Sequence, residues 1–156
     1  MTLNSTLYSI PRYTIGLIKK PTTHFTPTPH YDSSESVYAC LMPILANQDR
    51  EHMYGLFLDA KHALIGINHI AMGNMTEAFI HPREVFKCAI LLNAAALILA
   101  HNHPSGDPSP SREDRLLTTR LAEAGTLLGI ALLDHLIIGE DRYYSFADHG
   151  TLMSLG

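Results

Sequence analysis

Apolar positions recur along this chain with a period that switches several times. Between residue 34 and about residue 47, Val37, Leu41, Ile44 and Leu45 return at helical spacing, which predicts an amphipathic helix. Asp32, with Glu35 three residues on, is placed to cap its start, and Pro43 should kink the helix or end it early. Residues 51–59 and 62–72 read as two strands joined at Ala60-Lys61, with Gly66 and Gly73 at bends. Pro82 opens a second helix at its first position, where a missing N–H costs nothing. Val85, Phe86, Ala89 and Ile90 form that helix's buried face. Residues 95–101 are too short for a helix of normal length and read as a fully buried strand. Ser111 starts a third helix that runs to about Leu128. Residues 130–138 and 142–146 are further strands, separated by Gly139-Glu140-Asp141. No internal repeat is visible. The order α-β-β-α-β-α-β-β predicts an α/β fold, a single mixed sheet in an α-β-α sandwich.

The first 31 residues differ from the rest. Pro11, Pro21, Pro27 and Pro29, with Thr22, Thr23, Thr26 and Thr28, resist a helix. They predict an extended N-terminal arm, residues 1–31, ahead of one domain, residues 32–156. Residues 7–18 have the character to add an edge strand or touch a partner, but a mobile or extended tail is the plainer expectation.

Charge sharpens the division. The net charge is −4, yet the arm holds Arg12, Lys19 and Lys20 and no acid. The remainder carries eight basic and fifteen acidic side chains, a balance of −7. A domain of that sign is a poor autonomous binder of a phosphate backbone, so nucleic acid is an unsupported partner. With 156 residues, 46% hydrophobic and 17% charged, the composition fits one soluble globular domain. No apolar run approaches the ~20 residues of a membrane span, and no basic segment followed by an apolar core marks a signal peptide. Cys40 and Cys88 form no motif and read as free thiols in a reducing, cytoplasmic compartment. The ten histidines raise the expectation of a metal site without locating it.

The location comes from His101-Asn102-His103-Pro104-Ser105-Gly106, at the end of the apolar run 94–100. On a strand, side chains at i and i+2 share a face, so both imidazoles converge. Asp114 arrives after the chain has turned through Gly106, Pro108 and Pro110. Two His and one Asp leave one coordination position open, the pattern of a catalytic rather than a structural zinc. Ser111-Arg112-Glu113-Asp114 also reads as an N-capping box, and the two readings are compatible. A hydrolytic site needs a proton acceptor that is not a ligand. Glu51, at the head of a strand, is one candidate, though in Gln48-Asp49-Arg50-Glu51 it reads equally as a solvated charge; Glu77 and Glu84 compete with it.

An upstream Glu51, then His101-Asn102-His103-Pro104, then Ser111-Arg112-Glu113-Asp114 resembles the JAB/MPN metallopeptidase family and its JAMM signature. The blocks His81-Pro82-Arg83-Glu84-Val85-Phe86-Lys87, His101 to Gly106, Pro110 to Asp114 and Asp134-His135-Leu136-Ile137-Ile138-Gly139 narrow the likeness to the RadC-like branch. It runs from about residue 34 to 150. The chain is similar to short RadC-like proteins that lack the helical DNA-binding-type segment of longer members. The resemblance implies a cytidine-deaminase-like α/β sandwich. It implies one Zn²⁺ per chain, held by His101, His103 and Asp114, with Glu51 as general base and Ser111 as hydrogen-bond donor to the oxyanion. The implied activity is zinc-dependent hydrolysis of a peptide or protein substrate.

Several departures refine this. Asn102 stands where eukaryotic deubiquitinating members usually have Ser or Thr, and Ser109-Pro110 where Trp-Leu often precedes the serine. Ubiquitin-type recognition is therefore not expected. Asp134-His135 reads as structural or as an outer support of the metal. RadC-like proteins traditionally carry a DNA-repair label, so a protein acting on DNA, such as a metal-dependent nuclease, is a rival reading. The letters His-Asn-His are a false match to HNH nucleases, which spread those residues over a ββα-metal fold. A zinc deaminase would need H-x-E and P-C-x-x-C, and neither occurs. A non-catalytic interaction module ranks third, because all five motif positions are intact.

Overall fold

The first helix is capped by Ser33, not Asp32. The Ser33 side chain accepts the Ser36 N–H at 3.2 Å from an extended backbone, the arrangement of a serine N-cap. The expected Asp32–Glu35 pair thus lies one residue too early. Helix α1, Ser34–Leu45, stops two residues after Pro43, as a proline near a C-terminus requires. The computed structural model describes Thr14 and residues 31–73 and 80–152. Most of the expected arm and Glu77 lie outside the described residues. Tyr31, assigned to the arm, is instead 2% exposed in the core beneath α1, with its hydroxyl 3.2 Å from the Cys40 sulfur.

Strands β1, His52–Leu58, and β2, Leu64–Met72, form the predicted hairpin, each trimmed slightly from the expected span. The Asp59 carboxylate makes the turn by accepting the N–H groups of Lys61 and Ala63 at 2.8 and 2.9 Å. Helix α2, Pro82–Leu91, begins at Pro82 as read, with the His81 side chain accepting the Arg83 N–H. Strand β3 is Ala96–Asn102 and helix α3 is Arg112–Leu128, capped by Ser111. Strands β4, Ala131–Ile138, and β5, Tyr143–Ser145, complete the elements.

The five strands form one sheet in the order β2-β1-β3-β4-β5. Strands β3 and β4 are parallel, with α3 as their crossover, and the other pairs are antiparallel. Central β3 is buried along its whole length. Its period of two sends Leu97 and Leu99, with Met53 and Phe57 of β1, toward α2 and α3, where they meet Val85, Phe86, Leu117 and Leu121. Ala96, Ile98 and Ala100, with Leu56 and Leu58, face α1 and pack on Val37, Leu41 and Leu45. The result is the expected mixed α-β-α sandwich. By the same alternation His101 belongs to the α3 face and Asn102 to the α1 face. Among the described residues, no helix is long and apolar enough to cross a membrane, and both cysteines are free.

Candidate metal centre

Three elements deliver the three ligand candidates. His101 is the last residue but one of β3, His103 lies just past that strand's end, and Asp114 sits in the first turn of α3. The His103 N–H still pairs with the Ile138 carbonyl of β4 at 2.9 Å, so the strand geometry persists to that residue. The chain then reverses through Gly106 at φ +82°, a value that favours glycine. His101 Nε2 ends 3.2 Å from His103 Nε2 and 3.1 Å from Asp114 Oδ1, and His103 Nε2 is 3.4 Å from Asp114 Oδ2. The sequence reading is met here: the three ligand atoms lie within 4.8 Å of one another.

Counting protons shows what this cluster needs. The Thr118 hydroxyl gives its one proton to the Asp114 carbonyl at 2.6 Å. Its oxygen, 2.7 Å from His135 Nδ1, must therefore accept the Nδ1–H of His135. His135 is fully buried, and burial pushes its pKa well below the ordinary value and keeps the ring neutral. Its Nε2 is then an acceptor and takes the Nδ1–H of His101 at 2.9 Å. That leaves the neutral His101 with a bare lone pair on Nε2, the atom facing Asp114. The Nδ1 of His103 points at the Asp107 carbonyl at 2.8 Å, which can only accept, so the neutral His103 also has a bare Nε2.

Two lone pairs and a carboxylate thus converge with nothing positive between them. Such a cluster is repulsive unless a proton or a metal ion occupies it. The titration behaviour agrees. Burial alone would raise the Asp114 pKa, but protons taken up on the His101 and His103 Nε2 atoms are donated to it, and these hydrogen bonds, the positive charge of His101 so protonated and the Ser111 hydroxyl hold it far below the usual carboxylate range. For His103, burial opposes charge, yet hydrogen bonds to Asp114 and Asp107 and the negative charges of Asp114 and Glu51 raise its pKa. Oriented imidazoles backed by hydrogen bonds, plus one carboxylate, are a fitting donor set for zinc or a similar divalent ion.

Glu51 lies one residue before β1. Met53 pairs with His101, and the same antiparallel register carried on to the strand ends sets Glu51 toward His103, whose pKa its charge helps to raise. The Asn102 side chain fixes that stretch. Its amide donates to the Arg50 carbonyl at 3.0 Å and accepts the His52 N–H at 2.8 Å, clamping the backbone on both sides of Glu51. Sequence reading had noted Asn102 only as a departure between the histidines. Glu84, a rival base, is bound to Lys87 at 2.5 Å and Arg83 at 3.3 Å on the surface of α2. Ser111 sits at the rim in a full capping box: its hydroxyl donates to Asp114 Oδ2 at 2.6 Å and accepts the Asp114 N–H at 3.0 Å. Asp134, next to His135, takes a structural part, accepting the Ser145 hydroxyl and the His135 and Ala147 N–H groups. His135 and Thr118 complete the support. Thr118 was missed, although a Thr four residues after Asp114 on a helix is a readable signal.

Comparison with known proteins decides the family. Residues 31–151 match the model of the RadC-like JAB domain. The chain belongs to the RadC-like JAB family. It is 48% identical over 118 residues to a UPF0758 protein of Methanosarcina acetivorans, covering 76% of this chain and 52% of the relative. A UPF0758 protein of Symbiobacterium thermophilum is 48% identical over 117 residues, covering 75% and 50%. One from Syntrophomonas wolfei is 48% identical over 121 residues, covering 78% and 52%. The chain thus spans about half the length of the curated relatives it matches. The matched region of this JAB-family member contains every residue of the candidate centre.

Proposed function

We propose that this RadC-like chain is a zinc-dependent hydrolase that cleaves an amide or isopeptide bond in a peptide or protein. The observation that carries the reading is the convergence of the His101 and His103 Nε2 atoms and the Asp114 carboxylate, with the charge of Glu51 felt at His103. His101, His103 and Asp114 would hold the metal. When bound, zinc would supply a water acidified into the neutral range. Glu51 would serve as the base that takes up a proton at its carboxylate and returns it to the leaving amine. The Ser111 hydroxyl swings from Asp114 to donate to the oxyanion, a contact whose loss typically costs about 10²–10³ in rate. His135 and Thr118 hold His101 in the tautomer that leaves Nε2 free.

The decisive experiment is zinc per chain by elemental mass spectrometry, on protein purified without a metal-affinity tag. About one zinc in the wild type and none in the His101→Ala/His103→Ala double variant is expected. A metal-free wild type that binds zinc no better than the double variant would remove the reading. Glu51→Gln should retain the metal and lose about 10²–10⁴ in turnover on any peptide the wild type cleaves. The acidic balance of the domain argues that DNA will be neither bound at low salt nor cut.

A further inference from the structure

A cavity of about 220 Å³ adjoins the metal centre and shares His103 with it. Its walls are the Asn102–Gly106 segment, the end of α1 from Leu45 to Gln48, and the turn after β4 at Gly139 and Glu140. That volume suits one amino-acid side chain; small-molecule sites run to roughly 300–1,000 Å³.

The chemistry of the walls has one sign. Among the described residues, no Lys or Arg lines the cavity. The Glu140 carboxylate lies against Gly106, where an added Cβ would come within 3.5 Å of Oε2. Helix α1 turns its carbonyl end toward the cavity and has no basic residue in its last turn to offset the negative pole. Several of the cavity's hydrogen-bond donors are spent, and the Ser105 hydroxyl and the Asn47 side-chain amide remain. The N–H groups of His103, Gly106, Gly139 and Glu140 go to Ile138, His103, Arg142 and Gly106 carbonyls. The Asn102 amide is committed to β1 and the Gln48 amide donates to the Ile44 carbonyl at 2.9 Å. What remains is a small, acceptor-rich, negative cavity beside the metal centre. Its complement is a cation that brings its own donors.

We propose that this cavity receives a Lys or Arg side chain of the substrate, on the α1 side of His103, the residue it shares with the candidate metal centre. The word substrate rests on the hydrolytic reading above; the preference for a cation does not. The balance of −7 over residues 32–156 would steer such peptides toward the domain.

The test is an NMR titration of the ¹⁵N-labelled full chain with Nα-acetyl-lysine N-methylamide and its uncharged norleucine counterpart. The lysine probe should move the Gln48, Gly106 and Glu140 amides saturably, and the norleucine probe should not. In Glu140→Gln the lysine half-saturation point should rise by about fivefold, the loss of one exposed ion pair. Equal binding of the norleucine probe, no saturable shift, or an unchanged Glu140→Gln titration would overturn the cation site. A chain that binds the lysine probe as described but cleaves no peptide in its zinc form would refute the hydrolase and spare the site. Peptides with and without Lys or Arg cleaved at equal rates would refute the cavity's role in substrate choice and spare the hydrolase.

Discussion

His101 and His103 stand two residues apart and present the same atom to the same point, yet they are held in opposite ways. His101 is 0% exposed and is fixed by side chains from two other elements, His135 of β4 and Thr118 of α3. His103 is only half-buried and is fixed by a main-chain carbonyl, that of Asp107, four residues further on in its own loop. One ligand is therefore positioned by the packed interior and the other by loop geometry. A relay of side chains can be cut by one substitution inside the core. A carbonyl cannot be deleted, so the second support must be broken by moving the loop that carries it.

Gly139 is the place to move it, and the largest loss is expected there. A Cβ on Gly139 would fall 2.3 Å from the Gly106 carbonyl oxygen and 2.9 Å from Pro108 Cδ, contacts that a main-chain oxygen and a proline ring cannot yield cheaply. Gly139→Ala should cost about 3 kcal/mol of stability, at the upper end for overpacking, and should weaken zinc binding through His103 alone. Thermal unfolding with and without zinc measures both. A variant as stable as the wild type would show that the loop has slack and that His103 is not geometrically held.

The relay behind His101 is tested by His135→Phe. Phenylalanine keeps the ring that stacks on Phe146 at a centroid distance of 5.3 Å but removes the acceptor for the His101 Nδ1–H. Zinc affinity should fall 10–100-fold, about 1.4–2.7 kcal/mol. Thr118→Val leaves His135 in place and removes the acceptor that fixes its tautomer together with the hydroxyl's bond to the Asp114 carbonyl, and a smaller loss of about 1 kcal/mol is expected. Competition against a chromophoric chelator ranks the three proteins. Affinities of both variants equal to the wild type would mean that the tautomer of His101 is set by something other than this relay.

The same contrast explains what the sequence revealed and what it hid. His101, His103 and Asp114 were legible because strand alternation and a cap motif at a helix start are local patterns, and the structure joins them as read. Element existence followed from periodicity for the same reason, with ends displaced by a residue or two. The cap of α1 was misplaced because Asp32 and Ser33 are both good caps side by side, and only the backbone angles choose between them. Asn102 and Thr118 were invisible as supports because each acts across a strand pairing or between a helix and a strand. Such partners are set by the sheet order β2-β1-β3-β4-β5, which no local period encodes. Glu51 is the intermediate case: it was read as the head of a strand, the structure begins β1 one residue later at His52, and its approach to His103 depends on the β1–β3 register.

Asp114, the third ligand candidate, combines both kinds of support, and it yields the smallest expected effect. Its main-chain carbonyl is tied to Thr118 in the interior, while its carboxylate and N–H are tied to Ser111 in the capping box at the rim. Ser111→Ala removes the cap and should cost about 1 kcal/mol, whereas Ser111→Asn keeps a capping oxygen and should cost a few tenths at about the level of the best caps. Both variants lack the hydroxyl proposed to serve the oxyanion. If the serine matters chiefly as a cap, Asn will restore stability and peptide hydrolysis together. If it serves the reaction, Asn will restore the melting temperature alone, and both variants will remain equally slow. Zinc affinity should barely change in either, because the interior tie through Thr118 persists. A large loss of zinc in Ser111→Ala, rescued by Asn, would instead place Asp114 with His103, as a ligand that owes its position to the loop side of the centre.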